Sequence, residues 1–194
     1  DARGVAASGG ALLVASYGAG LLAGSPRGAL RADTSLGRFV QGVGARGAAR
    51  CVATTDGAFV DAGTGSFVRV AEGGPPSNDV TAFAANGDRV VVGTFDHGAA
   101  VAKGGRFERL TAVPATETVN AIAWDGDGEG ARLWLGTAHG LVRVDPGGAT
   151  RRFSSHDGLP SSLVRSVLVL PDGKVVAGTE EGAAIVDEIG RAHV

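Results

Sequence analysis

Short runs of β-branched and small apolar residues recur along the whole chain, each broken by a glycine or a polar pair. Three of them share one form: an apolar run, then Gly-Thr, then polar residues and a closing glycine. They are Val91-Val92-Gly93-Thr94-Phe95-Asp96-His97-Gly98, Leu135-Gly136-Thr137-Ala138-His139-Gly140 and Ala177-Gly178-Thr179-Glu180-Glu181-Gly182. Weaker copies stand upstream as Ala15-Ser16-Tyr17-Gly18-Ala19-Gly20 and Ala53-Thr54-Thr55-Asp56-Gly57. The closing glycines fall at 20, 57, 98, 140 and 182, so the spacings are 37, 41, 42 and 42 residues. A period in this range marks a repeat architecture in which each unit buries its faces against its neighbours.

Each copy reads as four short strands. The first has a valine followed by a polar and then small apolar residues, as in Val80-Thr81-Ala82-Phe83, Val119-Asn120-Ala121-Ile122 and Val164-Arg165-Ser166-Val167. Turns such as Asn86-Gly87-Asp88 and Pro171-Asp172-Gly173 follow it, because glycine and asparagine tolerate the backbone conformations of tight hairpins. The second strand runs into the Gly-Thr pair and the third leaves the closing glycine. The fourth is shorter and more polar, as in Phe67-Val68-Arg69-Val70 and Phe107-Glu108-Arg109-Leu110. A 3.6-residue period is nowhere sustained. The pattern predicts an all-β chain: a single β-propeller domain of five four-stranded blades, at about 2–38, 39–78, 79–117, 118–162 and 163–194, or the same blades as part of a larger propeller. No terminal strand is spare to complete a mixed blade. If the ring does not close, its open blade edges favour association with a partner or another copy.

Composition narrows the function. With 18 basic and 20 acidic side chains the chain is near neutral, which argues against a nucleic-acid partner. It holds 44% hydrophobic residues, but no uninterrupted apolar run approaches the ~18 needed for a direct membrane span. Cys51 is the one cysteine, so no internal disulfide can form, and its flanks suit a small hydrophobe in a strand. The chain has no methionine and begins at Asp1 without a charged and apolar leader, which suggests a processed or excised segment.

The segment from Leu133 through Trp134, Gly136-Thr137, His139-Gly140 and Asp145, followed by Phe153 and Asp157-Gly158-Leu159-Pro160-Ser161, resembles the two-component-regulator propeller repeat of bacterial sensor ectodomains. Gly74-Pro75-Pro76-Ser77-Asn78-Asp79-Val80 echoes its connector, and Gly93-Thr94 and Gly178-Thr179 keep its central pair. The resemblance implies a bacterial, periplasmic or extracellular recognition module that needs no cofactor and has no catalytic residues. Sensors of that family typically carry many more repeats, often followed by a membrane span and a kinase.

Alignment of the five first strands brings Arg3, Gln41, Thr81, Asn120 and Arg165 to one position, all polar within otherwise apolar strands. In a propeller this strand lines the central channel, so these residues are the candidate ligand-binding set. In a closed ring, Arg165 and Arg3 would form a two-arginine anion site, with channel water and acidic neighbours as the alternative reading. The residues before the closing glycines are Ala19, Asp56, His97, His139 and Glu181, of which the last four form a candidate rim. Two imidazoles and a carboxylate are a metal-competent donor set, but side chains from separate blades stand too far apart for ligand distances, so no metal is expected. His156 and His193 show no partner pattern. Asp125-Gly126-Asp127-Gly128-Glu129-Gly130 alternates acid and glycine yet lacks the distal carboxylate of a calcium loop, and reads as a long hairpin turn. No Gly-x-Ser-x-Gly elbow, phosphate loop or CxxC pair occurs.

The chain therefore reads as a non-enzymatic binding or assembly module that presents propeller loops to a protein partner or small ligand. A receptor for a small anionic ligand or glycan at the channel mouth is the alternative. A propeller lyase or hydrolase would have only His97, His139 and Glu181 as its acid–base cluster.

Overall fold

The computed structural model describes residues 2–46, 49–54, 57–61, 63–69, 75–77, 79–86, 89–103, 106–187 and 192–193. Among the described residues there are five four-stranded antiparallel sheets. The first holds β1 (Ala2–Ser8), β2 (Ala11–Ser16), β3 (Gly20–Gly24) and β4 (Arg31–Asp33). The second holds β5 (Val40–Arg46), β6 (Ala49–Thr54), β7 (Gly57–Asp61) and β8 (Val68–Arg69). The third runs β9 (Val80–Asn86), β10 (Arg89–Thr94), β11 (Ala99–Lys103), β12 (Arg106–Arg109). The fourth has β13 (Val119–Asp125), β14 (Arg132–Thr137), β15 (Gly140–Val144) and β16 (Thr150–Phe153). The fifth has β17 (Val164–Val169), β18 (Val175–Thr179), β19 (Gly182–Val186) and β20 (Ala192–His193). Every sheet is a meander in chain order, as short hairpin connections require. Helical structure among the described residues is confined to two single 3-10 turns, Gly128–Gly130 and Ser155–Asp157. The acid–glycine segment from Asp125 is thus the end of β13 followed by one of these turns.

The chain divides into two compact units, Asp1–Val92 with Ala100–Arg109, and Gly93–Ala99 with Leu110–Val194. In the first, Leu13, Ala15 and Leu21 of the first sheet meet Val40 and Val52 of the second. Ala53 and Ala58 of the second sheet meet Val80, Val90 and Val92. In the second unit Trp134, Leu141 and Phe153 pack on Val164, Val175 and Ala177. Burial of a side chain such as Phe153 contributes about 1.5–3 kcal/mol, so these sheet-to-sheet layers carry most of the stability. First strands pack on first strands, β1 on β5 and β5 on β9 in one unit and β13 on β17 in the other, as in sheets stacked about an axis.

Four first strands share one irregularity. Their pairing register slips between Ala2 and Gly4, Val40 and Gly42, Val119 and Ala121, and Val164 and Ser166. The extra residue is Arg3, Gln41, Asn120 or Arg165. A bulge leaves its extra residue outside the ladder, which explains how polar side chains recur inside otherwise apolar strands.

Candidate functional site on the turn and connector face

The Gly-Thr…Gly repeat is a hydrogen-bonded turn joining the second and third strands of a sheet. The hydroxyls of Thr94, Thr137 and Thr179 donate to the carbonyls of Gly98, Gly140 and Gly182 at 2.9, 2.8 and 2.8 Å. Two of the same hydroxyls accept from the backbone N–H of His97 (2.9 Å) and His139 (3.1 Å). Gly140 has φ +132°, and a Cβ there would run into the carbonyl oxygen of Phe153, so glycine is required by conformation and by space.

Connectors lie against these turns. Gly18 and Gly20 donate to the carbonyl of Arg38, Gly98 to that of Glu117, Ala138 to that of Thr118 and Glu180 to that of Leu163. In each case a strand-two-to-three turn is tied to the segment leading into a first strand. The two kinds of loop thus share a face within each unit, held by backbone bonds.

Glu117 is the hub of this face in the second unit. It is 4% exposed, and its Oε1 lies 2.8 Å from His139 Nδ1 while its Oε2 accepts from Arg152 Nη2 at 3.3 Å. Arg152 also donates to Thr137 Oγ1 (3.2 Å) and to the His139 carbonyl (3.0 Å). One carboxylate therefore joins the connector, the β14–β15 turn and β16. A buried carboxylate persists only when its oxygens are satisfied, and here both are. The His139 side chain is 78% exposed and held from its Nδ1 side.

The sequence-predicted residues fall into separate settings. Asn120 Nδ2 donates to the Val164 carbonyl at 2.9 Å, which ties the fourth sheet to the fifth. Arg165 Nη2 lies 3.3 Å from Glu180 Oε1, with both side chains exposed. Thr81 is exposed on β9. Arg3 and Gln41 are on β1 and β5, but their side chains, like Asp56 as a whole, lie outside the described residues. His97 is exposed, its Nδ1 2.9 Å from Asp96 Oδ1, and Glu181 is an exposed turn residue. His97 and His139 thus pair with different carboxylates, and no cluster of three metal-ligating side chains exists among the described residues. Cys51 is buried, and burial pushes its thiol up to about 12, so it is no nucleophile at neutral pH.

Sequence reasoning missed Glu117 and Arg152. The available signal was an acid two residues before a first strand, at the position held by Asn78 and Ser162 in other copies.

No family model and no curated protein matches the chain. Solved structures do. The extracellular domain of a hybrid two-component system of B. thetaiotaomicron, BT4673, is similar with TM-score 0.71 and 17% identity, over 95% of this chain and 27% of that one. That of a second such system, BT3049, gives TM-score 0.71 and 18% identity, over 99% of this chain and 29% of that one. The WD40 β-propeller domain of Doa1 gives TM-score 0.73 and 14% identity, over 100% of this chain and 67% of that one. The chain thus spans under a third of the two sensor ectodomains. The likeness is one of fold, an all-β fold of four-stranded sheets of the propeller kind, and its neighbours include ectodomains of the protein class whose repeat the Leu133–Ser161 segment resembles.

Proposed function

We propose that this chain is a non-enzymatic binding or assembly module of a bacterial periplasmic or extracellular protein, presenting its turn and connector loops to a protein partner or a small ligand. The observation that carries this reading is the clamped face itself. Repeated Thr–Gly turns are fixed to connectors by backbone bonds, and they hold outward side chains such as Phe95, 58% exposed, and His139 on a rigid frame. Fixed loops lose little entropy on binding, which favours recognition over induced folding. The structural neighbours that are extracellular sensor domains or a WD40 propeller agree with it. No helix among the described residues is long and apolar enough to cross a membrane.

The test is crosslinking of the purified chain in a periplasmic extract of its source, with rim variants Phe95→Ser and Glu180→Lys beside Lys174→Ala in the β17–β18 hairpin at the opposite ends of the strands. Loss of the same crosslinked species only with the rim variants supports the reading. Crosslinking that survives both rim variants overturns it.

A second reading, a small anionic ligand or glycan held by polar first-strand residues, draws support from the bulges, since a bulge re-aims its side chain and is common beside binding sites. Calorimetric titration of inorganic phosphate against the chain and against Arg165→Ala tests it. Heat that is absent from both discards it.

A further inference from the structure

Two consecutive turns of the second unit each bring a histidine against a carboxylate through the same ring nitrogen. His139 Nδ1 lies 2.8 Å from Glu117 Oε1, and His97 Nδ1 lies 2.9 Å from Asp96 Oδ1. The carboxylates come from different places, one from the connector ahead of β13 and one from the turn itself, and both imidazoles are more than half exposed. That connector also fixes the two turns to each other. The Glu117 carbonyl accepts from the Gly98 N–H at 3.0 Å, the Thr118 hydroxyl donates to the Phe95 carbonyl at 2.6 Å, and the Thr118 carbonyl accepts from the Ala138 N–H at 3.0 Å.

The partners of Glu117 decide which nitrogen of His139 carries the proton. Arg152 can only donate, and its Nη2 meets Glu117 Oε2 at 3.3 Å. An ionised carboxylate can only accept, so the bond at Oε1 requires a proton on Nδ1. In the neutral ring this leaves Nε2 as a bare acceptor, the opposite of the tautomer that a neutral histidine favours in water. Glu117 is buried and held by two donors, so it stays aimed at the ring. Among the described residues no group bonds His139 Nε2, and the side chain is 78% exposed.

We propose that Glu117 is a positioning residue that presents His139 Nε2 to a protein partner as a hydrogen-bond acceptor. The partner group seated there is then an N–H or O–H donor and not a carboxylate or phosphate. An anion at this position sets lone pair against lone pair, which rejects wrong partners as effectively as the donor bond selects the right one. Phe95, exposed on the turn tied to the same connector, supplies the apolar part of the contact. The inference rests on the protein-docking reading of this face and states what the partner must bring to it.

Long-range 15N–1H spectra of the full chain, recorded above the pH at which the ring signals stop moving, report the tautomer directly. His139 should show an imine-type Nε2 and a pyrrole-type Nδ1. The reverse, or the mixture found in the unfolded chain, overturns the assignment without any variant. Glu117→Gln gives a readout that mere loss of packing does not: its amide turns its oxygen to Arg152 and its NH2 to Nδ1, so His139 should switch to the Nε2–H form. A folded Glu117→Gln chain in which no switch occurs overturns the positioning role. In the crosslinking assay Glu117→Gln should lose the species that Phe95→Ser loses. Retention of that species by Glu117→Gln alone overturns the recognition role and leaves the proposed function standing. A species that survives Phe95→Ser and Glu180→Lys as well, or no species at all, overturns both.

Discussion

His139 Nδ1 lies 2.8 Å from Glu117 Oε1, so the histidine that the repeat aligns with His97 takes its partner from the connector rather than from the neighbouring turn. The pair is asymmetric: the carboxylate is buried and the imidazole mostly exposed. Removing the two partners therefore has different costs.

Glu117→Ala should lower stability by about 2 kcal/mol, because it strips the Arg152 guanidinium and the turn of a charged acceptor in a buried place. His139→Ala should cost less, about 1 kcal/mol, because Glu117 keeps its Arg152 partner and the mostly exposed imidazole leaves a space that water fills beside Oε1. Denaturant unfolding of both variants checks the order. Equal effects would show that the carboxylate is not the hub.

Asp61 gives the fold a dependence on acid. Burial pushes its carboxyl up, but the Arg50 guanidinium and the N–H groups of Thr64 and Gly63 outweigh this and hold it at about 2, below its ordinary 3.8. A carboxyl depressed in the folded state contributes stability that is fully present above its unfolded value and is lost as pH falls through the folded one. The contribution is about 2 kcal/mol at neutral pH and fades between roughly pH 4 and pH 2. Asp61→Asn should unfold at lower denaturant than the parent at pH 7, and the gap should narrow across that window. A gap that does not change with pH would place the cost in lost packing.

Cys51 is buried beside Gly44, and its thiol, pushed up to about 12, is overwhelmingly protonated at pH 8. A thiol-specific disulfide reagent should leave the native chain unmodified and label one thiol per chain in denaturant. Rapid labelling of the native protein would contradict the packing of β6 against its neighbours.

The turn motif predicts a contrast between glycines. Gly140→Ala meets the Phe153 carbonyl at a left-handed φ and should cost more than about 1 kcal/mol, whereas Gly147→Ala has open space around it and should be near neutral. Thr137→Val removes a hydroxyl that donates to Gly140 and accepts from His139, and should cost about 1–2 kcal/mol. Melting temperatures of the three variants report this directly.

What could be read from the chain follows from the range of the interactions. The Thr–Gly turns were legible because donor, acceptor and positive φ all lie within a few residues, so the motif repeats wherever the turn does. The four-stranded sheets were legible for the same reason, as meanders of short hairpins. The recurring polar residue of the first strand was visible as a position but not as a bulge, since a bulge is defined by its partner strand. Glu117 and Arg152 belong to a connector and to a fourth strand, and only tertiary packing brings them together. The division into two compact units likewise has no local mark.

Asn120 and Arg165 occupy equivalent bulges yet should behave in opposite ways. Asn120 donates to the Val164 carbonyl across the seam between the fourth and fifth sheets, in a partly buried place where the acceptor has no easy substitute. Asn120→Ala should therefore cost about 1 kcal/mol of stability. Among the described residues Arg165 pairs with Glu180, with both side chains more than half exposed, and such a pair contributes close to nothing. Arg165→Ala should leave the unfolding curve in place, so a residue kept there for a ligand would show its effect in binding alone. Stability measured beside the phosphate titration separates the cases. A stable Arg165→Ala that loses binding marks a ligand residue, and a destabilised one with no binding to lose marks a structural one. A silent Asn120→Ala would show that the bulge holds its shape without the bond to the next sheet.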